Sequence, residues 1–294
     1  MKSYLSFLEG KARFTAWLVV FFVLLFSVPP LMASEMKITA KVLGIVVIVA
    51  ISTALWIWRI QTVKRMQRKA RVMLNLNDRF WLNQHISFYK KLSARDKIIF
   101  EDRVGLFLAE ITITEVGNSA PQKSTCLYVA SSAVITFWGL PYWNYGELGE
   151  VLVYPDNFNG DNSIDHKGLI AGKVDHGGLM DGTMVLSLPT LIKGFVLLDA
   201  SNVGIHEFAH MLDRTDESLD GIPAFIRGEE RLVWAALVDR EMRRKKGKHP
   251  KLNSYGFTSE EEFFAVLMEA YRENPRRIEK RYPELFAILE EHLT

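Results

Sequence analysis

The stretch GIHEFAHMLD, residues 204–213, constrains the fold more than any other part of the chain. His206 and His210 stand four residues apart, so on a helix both imidazoles project from one face, a turn apart. Two imidazoles placed that way can bind one Zn²⁺, with Glu207 beside them to hold a water and take its proton. The ordinary alternative is a partly buried helix whose histidines are satisfied by hydrogen bonds. Two protein ligands make an incomplete zinc site, so the metal reading requires a third ligand elsewhere. The single cysteine, Cys126, excludes an intramolecular disulfide and any Cys-rich zinc site.

The hydrophobic fraction of the 294 residues is 49%, and part of it is concentrated near the N-terminus. Residues 14–32 and 42–58 carry no charge and are each near the lower length for crossing a hydrocarbon core of roughly 30 Å. Trp17, Trp56 and Trp58 lie near their ends, where interfacial aromatics are expected. Lysines and arginines crowd before the first run and after the second (Arg59, Lys64, Arg65, Arg68, Lys69, Arg71), while only Lys37 and Lys41 lie between. The expectation is a two-span protein of the cell (inner) membrane, in contact with the lipid bilayer through an N-terminal hairpin, with the following domain facing the cytoplasm. A signal peptide cut near Ala33 is the alternative for the first run. The division is then 1–72 for the hairpin and basic linker, and 73–294 for a soluble domain. No later segment is long and apolar enough to span, so an intramembrane protease is not expected. A formal charge of +2 gives no global basic field, and no direct nucleic-acid partner is expected.

Within 73–294 the pattern suggests an α+β domain, a small sheet beside a helical body. Residues 73–110 read as mostly helical, and CLYVA (126–130), AVITFW (133–138), VLVYP (151–155) and TMVLSL (183–188) as β-like runs. Residues 157–168, rich in Asn, Asp and Gly, read as loop, and from Ser201 the chain reads as helical with short breaks. MVLSL is either an internal strand or an edge to which an extended peptide adds. His176, in a Gly-rich loop, is either solvent-exposed or within reach of a substrate. The basic run Arg243, Arg244, Lys245, Lys246 and Lys248 is a solvated helix end or a face towards anionic lipid.

Asp213, one turn beyond His210, is either a hydrogen-bond acceptor for a ligand histidine or a solvated surface residue. The third ligand is better sought in SYGFTSEEEFFAVLMEAYREN, residues 254–274. Thr258 or Ser259 can N-cap a helix there, and Glu261 and Glu262 each stand three residues after one of them. If Thr258 and Glu261 form the capping box, Glu262 is free to turn inward as a ligand. Glu261 and Glu269 remain alternatives on spacing alone.

These blocks together resemble the Mlc titration factor A family of zinc peptidases. TMVLSLPTLIKG, NVGIHEFAHMLD, the Asp220–Gly221–Ile222–Pro223 turn and SYGFTSEEEFFAVLMEAY look like that family's successive blocks in order, with VLVYPDNF upstream. The resemblance covers roughly residues 75–290 and implies a gluzincin-like zinc peptidase domain. It implies one Zn²⁺ per chain on His206, His210 and Glu262, Glu207 as catalytic base, and Tyr255 assisting catalysis. It further implies aminopeptidase-like hydrolysis of small peptide substrates. The family's named member also binds a transcriptional repressor of sugar uptake. A regulatory module that captures such a cytoplasmic protein partner is therefore the alternative to hydrolysis, and a domain without metal is the third reading.

Overall fold

The computed structural model describes residues 74–140, 145, 148–155, 172–175, 182–197, 201–214, 219–244 and 252–294, with 53, 54, 56–58 and 61. Three helices open the domain: α1 (Leu76–His85), α2 (Ser87–Lys91) and α3 (Ala94–Glu110). The first starts on a capping box, in which Asn75 accepts from the Asp78 amide and Asp78 accepts from the Asn75 amide. Strand β1 (Thr112–Glu115) follows, then helix α4 (Lys123–Thr136), β2 (Glu150–Tyr154), β3 (Gly172–Asp175) and β4 (Thr183–Ser187). The rest is helical: α5 (Leu188–Leu197), α6 (Val203–Asp213), α7 (Glu229–Arg244), a 3₁₀ turn (Ser254–Phe257), α8 (Glu260–Glu273), α9 (Pro275–Arg281) and α10 (Pro283–Leu293).

The sheet has the order β1-β2-β4-β3; β1, β2 and β4 run parallel, and β3 pairs with β4 in the opposite sense. Alternation along the two inner strands buries Val151, Val153, Met184 and Leu186, the period-two pattern of a sheet face turned to a core. This small sheet beside a helical body is an α+β arrangement. MVLSL is not an edge strand: β3 covers its outer side, so an added peptide cannot pair there.

CLYVA and AVITFW are not strands. They lie in helix α4 as far as Thr136, with Phe137 and Trp138 in the turn that follows, and every residue from Leu127 to Thr136 is buried. A helix covered on all sides carries no amphipathic stripe, and its β-branched residues imitate a strand pattern. It packs against α1, α3, α5, α6 and α8, which makes it the axis of the fold. Its contact with α6 is close because Gly204 has no side chain: a Cβ there would lie 2.2 Å from Ser132 Oγ.

The expected two-span inner-membrane protein, with its domain facing the cytoplasm, is corrected. No helix among the described residues is long and apolar enough to cross a membrane. A crossing needs about 20 residues. The first apolar run, 14–32, lies outside the described residues, and of the second only 53, 54 and 56–58 are described. There Trp56, Ile57 and Trp58 are exposed. The 157–168 loop, His176 and the lysines of the basic run after Arg244 also lie outside the described residues.

Candidate metal centre

The site forms where α6 lies against α8. Helix α6 begins at Asn202, whose side chain accepts from the Ile205 amide 3.1 Å away and so satisfies one of the free donors of the first turn. From there the four-residue spacing brings the imidazoles of His206 and His210 together, their ring centroids 4.8 Å apart. Helix α8 begins after Ser259, which makes no side-chain cap. Glu262 stands in the register of a capping box with Ser259, but its carboxylate turns to the histidines instead. The expected Thr258–Glu261 box is not formed either: the Thr258 hydroxyl donates to the Tyr255 carbonyl at 2.7 Å.

One turn of chain holds the two helices in this relation. Gly221 has φ +72°, a conformation that favours glycine, and a Cβ on it would lie 2.5 Å from the Glu260 carbonyl oxygen. Its amide donates to Asp213 Oδ2 at 2.9 Å, and its carbonyl accepts from Trp234 Nε1 at 2.8 Å. The end of α6, the start of α8 and the buried indole of α7 are thus tied at a single residue. Asp213 is fully buried and serves this tie, so it is not a solvated surface residue.

Among the described residues, His206, His210 and Glu262 form a group of metal-binding type, with one ligand atom from each lying within 4.8 Å of the others. His206 Nε2 is 3.0 Å from Glu262 Oε2 and 3.2 Å from His210 Nε2, and His210 Nε2 is 3.5 Å from Glu262 Oε1. A tetrahedral ion with bonds of about 2.0–2.1 Å separates its ligand atoms by about 3.4 Å. The three donors therefore already stand near the spacing such an ion requires. Glu261 is outside this group. Glu269 reaches the opposite side of His206, with Oε1 2.8 Å from Nδ1, and its other oxygen accepts from the Asn202 amide.

The donor chemistry fits a cation as well. A carboxylate only accepts, so the bond to Glu269 places a proton on His206 Nδ1. Unless Nε2 is also protonated, its lone pair then faces a second imidazole nitrogen and a carboxylate. Such a cluster of electron-rich atoms is balanced only by a proton or a metal ion. Without metal the proton serves: burial opposes charge on His206, yet its hydrogen bonds to Glu262 and Glu269 raise its pKa well above the usual imidazole value. Burial would raise the Glu262 pKa too, but the two histidines outweigh it and hold the carboxyl far below the carboxylate range.

Glu207 follows His206 and is buried; that burial pushes its pKa up, while the neighbouring histidines pull it down by a smaller amount. Tyr255, in the 3₁₀ turn, places its hydroxyl 3.0 Å from Glu262 Oε1. Burial and the Glu262 carboxylate keep that hydroxyl protonated far above its ordinary range. The structure thus brings His206, Glu207, His210, Tyr255 and Glu262 together at one end of the α6–α8 contact. The contact of Glu269 with His206 is the feature that spacing alone did not isolate. Its signal was the seven-residue interval from Glu262, two helical turns along the same face.

An α+β domain with this histidine–glutamate helix and a carboxylate from a second helix has the plan of a metallopeptidase. The chain matches the family described as glucose-regulated metallo-peptidase M90 over residues 59–293, and it belongs to that family. It is also similar to the uncharacterized protein slr2042 of Synechocystis sp., at 25% identity over 222 residues, which are 72% of this chain and 81% of that one. Membership of a metallopeptidase family implies a metal.

Proposed function

We propose that this chain is a zinc metallopeptidase that hydrolyses small peptides, in the manner of an aminopeptidase. The observation that supports this reading most is the convergence of His206, His210 and Glu262 at 3.0, 3.2 and 3.5 Å, with buried Glu207 one residue from a ligand. Two neutral imidazoles and one carboxylate suit zinc, which when bound supplies a Lewis acid for the scissile carbonyl and for water. His206, His210 and Glu262 would hold it.

The remaining steps belong to the protein. Glu207 takes a proton from the attacking water and later delivers it to the departing amine. The Tyr255 hydroxyl, which donates to Glu262 Oε1 at 3.0 Å, turns to donate to the carbonyl oxygen as negative charge develops there. A peptide is the proposed partner of this site.

Glu207→Gln tests the reading. Peptide hydrolysis should fall by about 10²–10⁴-fold, the usual worth of a general acid–base group, with zinc content unchanged. Turnover that survives the substitution would remove Glu207 from the base role.

A further inference from the structure

Glu269 does more than fill a buried position on α8. It is 4% exposed, and its two carboxylate oxygens receive two donors: the Asn202 amide at the start of the metal helix, and His206 Nδ1 at 2.8 Å. Asn202 is itself the N-cap of α6 and is buried. One carboxylate therefore binds the first turn of the helix and the first imidazole on it. It does so from the face of α8 that carries Glu262 two turns earlier.

We infer that Glu269 is a positioning residue: it fixes His206 with its proton on Nδ1, so that Nε2 presents a lone pair towards His210 and Glu262. The inference rests on the metal site proposed above. Its physical basis is a count of donors and acceptors. A carboxylate accepts at both oxygens, so it accommodates a backbone N–H and an imidazole N–H at once. No other residue type of similar size can do this. Glutamine has one acceptor oxygen and one donor group. With its oxygen on the Asn202 amide, its NH₂ faces Nδ1 and drives the imidazole to the Nε2–H form, which blocks the ligand atom. With its oxygen on Nδ1–H, its NH₂ confronts the Asn202 amide and leaves a buried donor unpaired. Either outcome loosens the ligand.

The test is zinc titration of the full chain as wild type, Glu269→Gln and Arg272→Met. The last is a control: it disturbs the same helix one turn further on, away from the site. Zinc affinity should fall roughly 10–100-fold in Glu269→Gln, the range typical of outer partners of metal-bound histidine, and stay unchanged in Arg272→Met even where that variant melts lower. In zinc-loaded wild type, ¹⁵N–¹H spectra should show His206 protonated at Nδ1. Wild-type affinity in Glu269→Gln, or a His206 that binds zinc through Nδ1, would overturn the inference. Because the spectrum is taken on wild type, it decides the matter even if Glu269→Gln fails to fold. Failure of wild type to take up zinc would instead strike the proposed site, and this inference with it.

Discussion

The two ends of helix α8 solve opposite problems. At its N-terminal end Glu262 faces two histidines, and the group is balanced only when a proton or a metal ion joins it. At its C-terminal end Arg272 is buried, and its guanidinium donates to the carbonyl oxygens of Thr136 at 2.9 Å and Trp138 at 2.6 Å. Arg103 donates from α3 to the Phe137 and Leu140 carbonyls. The last carbonyls of a helix lack partners within it and carry the negative end of its dipole, so two cations here complete α4. The lesson is that one helix carries a structural joint made within the chain and an open chemical one, nearly three turns apart. The first is met by carbonyls of the chain itself, although the buried Arg272 Nε makes no hydrogen bond among the described residues. The second is built to receive a cation.

Breaking the structural joint should have the larger effect on folding. Arg272→Met removes both bonds and leaves carbonyls at the end of α4 short of donors, at a cost of about 1–3 kcal/mol. For a domain of this size, that is roughly a 2–4 °C lower melting temperature for each kcal/mol, measured by thermal unfolding. Burial depresses the Arg272 pKa to about 10, and the neighbouring Tyr271 and Glu290 oppose that fall.

The open joint should show itself as a smaller, pH-dependent effect confined to metal-free protein. The His206 pKa is raised in the folded state, so its contribution to stability is complete below the unfolded imidazole value of about 6.5 and is lost as pH rises through the folded value. Glu262 has the opposite sign: its contribution is present above the unfolded carboxyl value and is lost as pH falls through its depressed one. Metal-free protein should therefore melt lower as pH climbs past the imidazole range, and zinc should abolish that slope. An identical slope with and without zinc would mean that the histidine–carboxylate cluster is not where the ion binds.

Much of the open joint was legible in the sequence, and less of the structural one. The metal helix declares itself because His206 and His210 obey a helical interval within five residues. The strands at Glu150–Tyr154 and Thr183–Ser187 show their alternation for the same reason, since the pattern is local. Helix α4 hides because burial on every side erases the stripe that distinguishes helix from strand. The position of MVLSL inside the sheet depends on its pairing with Gly172–Asp175, and pairing between segments leaves no local mark. Arg272 and Thr136 are 136 residues apart, so nothing in either neighbourhood announces their bond. Asp213 and Gly221 were visible as residue types, but their joint task, tying α6 to α8, depends on a backbone approach that spacing does not encode.

The most direct test is the zinc content of the purified full chain, measured beside His206→Ala and Glu262→Gln. The account predicts one zinc per wild-type chain, with uptake lost or weakened in both variants while each remains folded. A folded wild-type chain that takes up no zinc when zinc is supplied would contradict it, and would leave GIHEFAHMLD as a helix that packs its histidines for structure alone.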